Sequence, residues 1–550
     1  MSRKRILIVG GVAGGASCAA RSRRLNETAE IIMFDRGPYV SFANCGLPYY
    51  VGDVIVDESK LLVANATLFQ ERFNIQVCLE HNVRAIDRTA HTIEVENLKT
   101  GEIRQEAYDA LVLSPGASPI RPPLPGIDLP GIFALRTIPD SRKIRQWITD
   151  HQVKTAVVVG GGFIGLEMTE NLIHRGIAVT LLEQMPQVMP PLDREMVTGV
   201  HDLLRSHGVA LCLSDGVQRF DPAGDGDGLQ VTTAAGQIHR ADLVILAIGV
   251  RPENQLARDA GLAIGERGGI QVNAQMQTHD PQIWAVGDAV EVQDFVTQTP
   301  IQIPLAGPAN RQGRIAADAI AGRPSTFRGV QGTAVCRVFD LTIATTGASE
   351  KTLQRLGIAY NKVYLHPGHH VGYFPGAKPI DIKLLFSPDT GKILGVQAVG
   401  EEGTEKRVDV IAMALQQGAT VFDLEEAELC YAPQFGAAKD PVNFAGMIAA
   451  NHLRGDAPLA QWSDDLWRSH FLLDVRDPDE FEQGHVPGAV NVPLNTLRDR
   501  LATLPSDQPL YVYCEVGQRA YYATRVLRFH DFPAYNLSGG YKTYCAIEAT

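Results

Sequence analysis

Residues 156–165 read AVVVGGGFIG, an apolar run followed at once by a glycine-rich turn. The spacing G-x-G-x-x-G after a strand predicts a dinucleotide-binding unit, in which the turn brings a pyrophosphate to the start of a helix. The next predicted strand, AVTLLE, ends in an acid that suits the free ribose hydroxyls of NAD better than the phosphate of NADP. We therefore predict a site for NADH, with NADPH possible, at Gly160, Gly162, Ile164, Gly165, Glu183 and Gly249.

A second, imperfect copy of this unit opens the chain. A strand over Arg5–Val9 runs into GGVAGG, a helix follows over residues 13–25, and the next strand ends in Asp35. Val12 stands where the middle glycine of the fingerprint is usual, so this copy alone is equally compatible with a structural turn. Two copies in one chain are strong evidence for two dinucleotides.

Further glycine turns follow predicted strands. They lie in YDALVLSPGASP at residues 108–119, ADLVILAIGVRPE at 241–253 and IWAVGDAVEV at 283–292. The last looks like a second flavin fingerprint, with Asp288 near the ribityl chain; the alternative is that Asp288 is a turn residue. The residues predicted to bind FAD are Gly10, Val12, Ala13, Gly15, Asp35, Arg36, Val83, Ser114, Gly116, Gly287, Asp288 and Ala306.

Composition excludes several classes of protein. The chain has 550 residues, which predicts three or four domains, and its net charge of −12 disfavours general binding to nucleic acid or anionic membranes. No apolar run reaches the roughly 18 residues of a membrane span. The basic and apolar N-terminus runs directly into a glycine turn, so we interpret it as a strand rather than a signal peptide and expect a cytoplasmic protein. The eight cysteines form no CxxC pair or metal-ligand cluster, so neither a disulfide framework nor a metal site is predicted.

Cys45 lies in SFANCGLPYY, residues 41–50, just after the first dinucleotide unit. No second cysteine is near in sequence, so any redox chemistry at Cys45 needs a thiol from outside its segment. The alternative is a buried core cysteine, which we predict for Cys18, Cys78, Cys212, Cys336 and Cys545; we assign Cys430 no reaction. Near an oxidised flavin and a helix start, the pKa of the Cys45 thiol is expected to be lowered.

Cys514 follows a predicted strand and opens the loop CEVGQR, residues 514–519. Loops whose backbone N–H groups point inward hold an anion or a terminal sulfur. Phosphatase loops of this kind have one residue more, so the loop ending at Arg519 fits sulfur better than phosphate. Glu515 disfavours a dianionic donor such as thiosulfate. A cysteine that merely ends a strand is the alternative.

Two further sets of polar residues can each be interpreted in two ways. The run Arg21, Arg23 and Arg24 on the first helix is either a solvated face or a contact for a phosphate-bearing substrate. Tyr373 and Tyr431 lie in loops flanked by glycine and proline, and either pack or donate protons to a leaving thiolate.

These motifs together resemble a known family. Residues 1 to about 448 resemble the coenzyme A disulfide reductases, single-cysteine members of the pyridine nucleotide–disulfide oxidoreductases, through GGVAGG, SFANCGLPYY, YDALVLSPGASP, AVGDAVEV, IPLAGPAN and YAPQFGAAKDPVN. Residues from about 465 resemble a rhodanese domain through LLDVRDPDEFEQGHVPGAVNVP and CEVGQR. The fusion is similar to coenzyme A disulfide reductase–rhodanese proteins, some of which are NADH-dependent persulfide or polysulfide reductases.

The resemblance implies an FAD enzyme that is a homodimer through its third domain and binds coenzyme A. The residues it places at the coenzyme A site are Ser17, Arg21, Arg24, Ser41 and Asn44, with Tyr373, Tyr431 and Lys439 from the partner subunit. Phe73 stands where the simple reductases carry a basic residue, which puts a phosphate contact there in doubt. Cys514 would carry a persulfide in a loop completed by Arg519.

The predicted fold is α/β: two Rossmann-like dinucleotide-binding domains, an α+β dimerisation domain and a C-terminal α/β rhodanese domain. The predicted boundaries are 1–150 and 276–325 for the two parts of the FAD domain, 151–275 for the NAD domain, 326–448 for dimerisation, 449–464 for a linker and 465–550 for rhodanese.

The predicted activity is NAD(P)H-dependent reduction of coenzyme A persulfide, polysulfide or coenzyme A disulfide through Cys45. Cys514 would relay sulfane sulfur from a coenzyme A-linked or inorganic source. Three alternatives stay open. One is an NADH oxidase or peroxidase that cycles through a sulfenic acid at Cys45, and another is a redox-sensing coenzyme A-binding protein with little turnover. The third is a pure sulfurtransferase that uses Cys514 alone and needs no NADH.

Overall fold

A computed structural model describes residues 4–224 and 228–549. The strands, in chain order, are β1 Arg5–Val9, β2 Glu30–Asp35, β3 Gln76–Leu79, β4 His81–Asp87, β5 Thr92–Asn97, β6 Ile103–Ala107, β7 Ala110–Leu113, β8 Ala117–Pro119, β9 Ile132–Ala134, β10 Thr155–Val159, β11 Ala178–Leu182, β12 Ala210–Cys212, β13 Val217–Pro222, β14 Leu229–Thr233, β15 Ile238–Ala241, β16 Leu243–Leu246, β17 Val250–Pro252, β18 Ile270–Gln271, β19 Ile283–Ala285, β20 Val290–Gln293, β21 Pro300–Ile301, β22 Ala334–Val338, β23 Leu341–Gly347, β24 Asn361–Leu365, β25 Ile380–Phe386, β26 Ile393–Gly400, β27 Leu459–Ala460, β28 Phe471–Asp474, β29 Val490–Asn491, β30 Leu510–Tyr513 and β31 Ala534–Leu537.

The α-helices, in chain order, are α1 Ala13–Leu25, α2 Leu47–Val51, α3 Ala66–Phe73, α4 Ile138–Asp150, α5 Phe163–His174, α6 Thr198–Ser206, α7 Gln255–Asp259, α8 Ala306–Ile320, α9 Glu350–Leu356, α10 Thr404–Gln416, α11 Val421–Glu425, α12 Pro441–Leu453, α13 Pro478–Gln483, α14 Leu497–Arg500, α15 Gln518–Phe529 and α16 Gly540–Glu548. No helix among the described residues is long and apolar enough to cross a membrane.

The chain divides into two compact units. The first comprises Met1–Val188 and Gly208–Val330, and the second comprises Met189–His207 and Gln331–Thr550. The segment Met189–His207, which lies within the stretch predicted as the NAD domain, therefore groups with the second unit.

Two parallel five-stranded sheets are the largest in the first unit. Their strand orders are β19-β7-β1-β2-β3 and β12-β11-β10-β16-β9. Runs such as ILIV in β1 and LVIL in β16 are apolar on both faces because helices cover both sides of a parallel sheet. The two glycine-turn strands, β1 and β10, thus lie in the middle of separate sheets, which confirms the predicted pair of Rossmann-like domains.

The second unit contains one antiparallel and one parallel sheet. The antiparallel sheet has the order β22-β23-β26-β25-β24, and α10 packs on it through Val408, Ile411 and Leu415. The parallel sheet has the order β27-β31-β30-β28-β29. Its strands contribute buried side chains, such as those of Leu473 and Val512, to a hydrophobic core. These are the predicted α+β and rhodanese-like domains.

A buried charge cluster stabilises the second unit. Lys383, on β25, is fully buried, and its Nζ lies 2.9 Å from Asp193 Oδ2, 2.5 Å from Glu195 Oε1 and against Glu350. Burial opposes ionisation of Glu350, but Lys383 and Lys362 hold its pKa at about 2. The three carboxylates lie close enough together to bind a cation, and the Lys383 ammonium already supplies that charge.

We predict that Lys383→Met destabilises the protein, because it leaves buried carboxylates without their counter-charge. The expected loss in the free energy of unfolding is about 3–5 kcal/mol. Urea denaturation followed by circular dichroism measures it, with Lys392→Met, at an exposed position, as the control. An unfolding curve unchanged from wild type would contradict the stabilising role of the cluster.

Candidate functional site

The predicted flavin residues meet at one edge of the first sheet. Because β19, β7, β1 and β2 are parallel neighbours, their carboxyl ends bring Gly287, Ser114, Gly10 and Asp35 together. Strand pairing alone thereby brings together Gly10 and Gly287, which lie more than 250 residues apart in the sequence.

The turn after β1 tolerates only glycine at its first position. Gly10 has φ +93°, and a Cβ there would lie 2.0 Å from the carbonyl oxygen of Ser114. The Asp35 carboxylate accepts the N–H groups of Gly11 and Gly37, both at 2.8 Å, which fixes the acid beside the turn. Burial nevertheless raises the pKa of Asp35.

This edge fits a dinucleotide. Val12 is the N-cap of α1 and no side chain caps the helix, so the N–H groups of the first turn are available to a pyrophosphate. Asp288 lies in the short turn Gly287–Ala289, where burial raises its pKa against the opposing charge of Arg136. Of the other predicted residues, Val83 is buried in the core and Arg36 is exposed and pairs with Glu253.

The second sheet repeats this arrangement for NAD. Gly160 has φ +105°, and a Cβ there would lie 2.5 Å from the carbonyl oxygen of Ala247. Glu183 is buried, and its carboxylate accepts the N–H groups of Gly161 at 2.6 Å and Met185 at 2.7 Å. Gly162 caps α5 without a side chain and faces open space, so this helix start also fits a pyrophosphate.

Cys45 is an exposed residue in the turn Asn44–Gly46, directly before the short helix α2. Its segment is fixed to the flavin turn, because the N–H of Ser41 donates to the carbonyl of Gly11 at 2.8 Å. Ser41 has a left-handed backbone, with φ 49°. The Asn44 amide, oriented with its oxygen toward Arg136, accepts from Nη1 at 2.9 Å. The lone thiol is thus anchored beside the cofactor edge of the first sheet.

The protein's own groups raise the pKa of the Cys45 thiol, and its lowering beside an oxidised flavin stays a prediction. Although the residue as a whole is exposed, partial burial of its sulfur is the main cause, and the negative charges of Glu167 and Asp288 add to it. The predicted lowering relied on an oxidised flavin and a helix start, and α2 has only five residues. A low thiol pKa at Cys45 therefore has to come from the bound cofactor or substrate.

Glu167 was missed by sequence reasoning. It lies on α5, accepts a hydrogen bond from the Tyr49 hydroxyl at 3.3 Å, and burial raises its pKa to about 7. Its position immediately after GGGFIGL is a possible sequence signal, but nothing in the sequence shows that α5 faces the Cys45 segment.

The basic run on α1 is neither wholly solvated nor wholly free for phosphate. Arg23 is buried, and its guanidinium donates to backbone carbonyls including that of Phe73 at 2.7 Å. Arg21 pairs with Asp318 on α8 at 2.7 Å, and Arg24 is exposed. Ser17 is hydrogen-bonded to Asn310. Only Arg24 of the run presents an exposed charge to a ligand.

In the second unit Tyr373 and Tyr431 meet. Their hydroxyls lie 2.6 Å apart, both side chains are exposed, and the hydrogen bond between them raises the pKa of Tyr431. Lys439, also exposed, lies in the loop before α12. The structure therefore brings the two predicted phenols together.

Cys514 directly follows β30 and its side chain is buried, and the N–H of Gly517 donates to its Sγ at 3.2 Å. Arg519 binds both carboxylate oxygens of Glu480 at 2.6 Å. Glu515 pairs with Arg476 at 3.1 Å, a buried arginine that sequence reasoning missed. The loop has the inward N–H expected of a sulfur carrier.

The remaining cysteines are only partly as predicted. Cys18, Cys78 and Cys336 are buried, Cys212 is half-buried, and Cys430 is exposed. The prediction that Cys545 belongs to the core is wrong: it is exposed on α16, because the helix buries its opposite face.

Three family models match the chain. They are the pyridine nucleotide-disulphide oxidoreductases over residues 4–313, the dimerisation domain of the same family over 333–440 and the rhodanese-like domain over 458–547. This chain belongs to the pyridine nucleotide-disulphide oxidoreductases. The match of the third model places a rhodanese-like domain after the family's own domains.

Known proteins that resemble this oxidoreductase belong to the same family. It is 35% identical over 446 residues to the coenzyme A disulfide reductase of Staphylococcus epidermidis, which covers 81% of this chain and 99% of that protein. It is similar to the crystal structure of reduced Bacillus anthracis CoADR-RHD, with 48% identity, a TM-score of 0.97 and coverage of 100% of this chain and 98% of that one. It is also similar to the NAD-dependent persulfide reductase from A. fulgidus, with 34% identity, a TM-score of 0.90 and coverage of 98% and 100%.

We predict that Glu167→Gln makes Cys45 more reactive above pH 7. Glu167 ionises near pH 7, and only its charged form raises the pKa of the thiol, so the variant and wild type should diverge as pH rises. Iodoacetamide should alkylate the variant about two- to tenfold faster at pH 8.

Mass spectrometry of the Cys45 peptide measures this rate. Glu27→Gln, at an exposed position on the same unit, is the control. Identical pH profiles for Glu167→Gln and wild type would show that Glu167 does not act on Cys45.

Proposed function

We propose that the chain is an FAD-dependent oxidoreductase that uses NADH to reduce coenzyme A persulfide, polysulfide or coenzyme A disulfide at Cys45, with sulfane sulfur relayed by Cys514. The observation that carries this proposal is that one chain has two thiols in different surroundings. One is a lone exposed thiol beside a dinucleotide edge, and the other is a buried thiol that accepts a backbone N–H.

The cofactors follow from the two sheet edges. FAD would lie at Gly10–Gly15, Asp35 and the Gly287 turn, and NADH at Gly160–Gly165. Bound together they supply the electron pair that reduces a disulfide. Glu183 supports NADH over NADPH, because its buried carboxylate would repel a ribose phosphate.

At Cys45 the first step is thiolate attack on the inner sulfur of coenzyme A persulfide. The S–S bond of the substrate breaks, hydrosulfide leaves, and a Cys45–coenzyme A disulfide forms. Addition of two electrons and a proton to that disulfide returns the Cys45 thiolate and free coenzyme A.

Coenzyme A would be held by charge and proton donors from both subunits. Ser41 and Asn44 lie in the Cys45 segment, Ser17 lies on α1, and Arg24 offers an exposed charge to the phosphates. In a homodimer, Tyr373 and Tyr431 of the partner subunit would protonate the leaving thiolate, and Lys439 of the partner subunit would add a second phosphate contact. The exposed side chain of Phe435, four residues after Tyr431, supports a covering partner.

At Cys514 the proposed step is sulfur transfer without net oxidation. The carrier thiolate takes the terminal sulfur of a persulfide, and the donor thiolate leaves. The resulting persulfide would pass its sulfur to the coenzyme A thiol, whose pantetheine arm is flexible enough to visit both cysteines.

Replacing each cysteine should separate the two activities. Cys45→Ser should bind FAD but lose NADH-dependent reduction of coenzyme A persulfide by about 10³-fold or more, because it lacks the nucleophile. Cys514→Ser should keep that activity and lose thiocyanate formation from a persulfide donor and cyanide. NADH absorbance, sulfide release and thiocyanate assays measure these rates, with oxygen uptake as the control for oxidase activity.

Sulfide release that persists in Cys45→Ser would refute the reductase mechanism. Full activity of Cys514→Ser on every donor would refute the relay.

A further inference from the structure

The start of α16 lies against the Cys514 loop. The N–H of Tyr541 donates to the carbonyl of Cys514 at 2.7 Å, and that of Lys542 to the carbonyl of Glu515 at 3.0 Å. A Cβ on Gly540, the first helical residue, would lie 2.3 Å from the carbonyl oxygen of Cys514. The helix start and the loop are therefore in direct backbone contact.

This contact sets the direction of the loop's N–H groups. In a trans peptide the C=O and the following N–H point to opposite sides. Because α16 holds the carbonyls of Cys514 and Glu515, the N–H groups of Glu515 and Val516 face away from α16. The N–H of Gly517, farther along the loop, donates to the Cys514 sulfur. The N–H groups that would stabilise a terminal sulfur thus depend on where α16 begins.

The dimerisation domain holds that helix start in turn. The N–H of Tyr364, on β24, donates to Ser538 Oγ at 2.9 Å, and both residues are buried. Gly539 has φ +74°, and a Cβ there would lie 2.7 Å from Tyr364 Cβ. The two residues before α16 therefore pack directly on β24.

A hydrogen-bonded chain adds a second connection. Asp381 Oδ1 lies 2.6 Å from His366 Nδ1, and His366 Nε2 lies 2.8 Å from Thr543 Oγ1. Lys542 Nζ also pairs with Asp381. The order carboxylate, imidazole, hydroxyl is that of an acyl-transfer triad, but Thr543 is only 2% exposed, so its hydroxyl is not accessible to a substrate. These hydrogen bonds from Asp381 through His366 to Thr543 instead fix the first turn of α16.

We propose that His366 and Asp381 are positioning residues for sulfur transfer at Cys514. They fix Thr543 and Lys542, and through them the backbone donors that orient the sulfur-binding loop. This inference rests on the proposed role of Cys514 as a sulfur carrier. The step concerned moves the terminal sulfur of RSSH to the Cys514 thiolate: the donor S–S bond breaks, RS⁻ leaves, and a Cys514 persulfide forms.

Two substitutions at Thr543, of which Val has the shape of threonine and Ser keeps its hydroxyl, test the inference in the full-length FAD-bound enzyme. Thr543→Val removes the hydroxyl, whereas Thr543→Ser keeps it. With glutathione persulfide as donor and cyanide as acceptor, Thr543→Val should lower kcat for thiocyanate formation about tenfold, with KM little changed. Thr543→Ser should stay within about twofold of wild type. NADH-dependent reduction of coenzyme A disulfide should be unchanged in both.

A second variant guards against misfolding of the buried site. Asp381→Asn, at a partly exposed position, keeps the shape but loses the charge that orients His366, and should also lower kcat for thiocyanate formation. Glu548→Gln removes an ion pair with Arg468 on the exposed side of α16 and should have no effect.

Several results would overturn the inference. Thiocyanate formation in Thr543→Val and Asp381→Asn within about twofold of wild type would do so. An equal loss in Thr543→Ser, or a parallel fall of both activities with the melting temperature, would assign the chain a purely structural role. Absence of transfer in the wild type would instead refute the carrier role of Cys514 itself.

Discussion

Parallel pairing of β19, β7, β1 and β2 is the constraint on which the first site depends. Each strand ends in a turn that is unremarkable by itself, and pairing in this order puts the four turns at one sheet edge. The backbone fit is tight there, since Gly10 touches the carbonyl of Ser114. The same edge fixes the position of the Cys45 segment, because Ser41 is hydrogen-bonded to Gly11. The redox chemistry is thus positioned by strand order before any side chain contributes.

Electrostatics at the two thiols differ in kind. Around Cys45 the protein supplies carboxylates, so its thiolate is disfavoured until a cofactor or a substrate changes the local potential. Around Cys514 a backbone N–H already points at the sulfur. A thiol that ionises only when its ligand is bound suits a reductase centre. A thiol that already accepts a backbone N–H suits a sulfur carrier. The division of labour proposed for the chain follows from this contrast.

Local sequence predicted the turns and strands well, because glycine spacing and buried apolar runs are local signals. The fingerprints at Gly10 and Gly160, the acids Asp35 and Glu183, and the loop at Cys514 all lie where they were expected. Side-chain partners were not predictable. Arg23 serves the fold through carbonyls near Phe73, Glu167 reaches the Cys45 segment from another domain, and Arg476 pairs with Glu515. Each depends on how separate segments pack, which spacing along the chain does not encode.

The proposed mechanism requires that Cys45 forms a mixed disulfide with coenzyme A. Intact-protein and peptide mass spectrometry after incubation with coenzyme A disulfide tests it most directly. We expect one coenzyme A adduct per chain, on the peptide that contains Cys45, and we expect NADH to remove it. A Cys45 peptide that stays unmodified, or an adduct confined to Cys430 or Cys545, would contradict it.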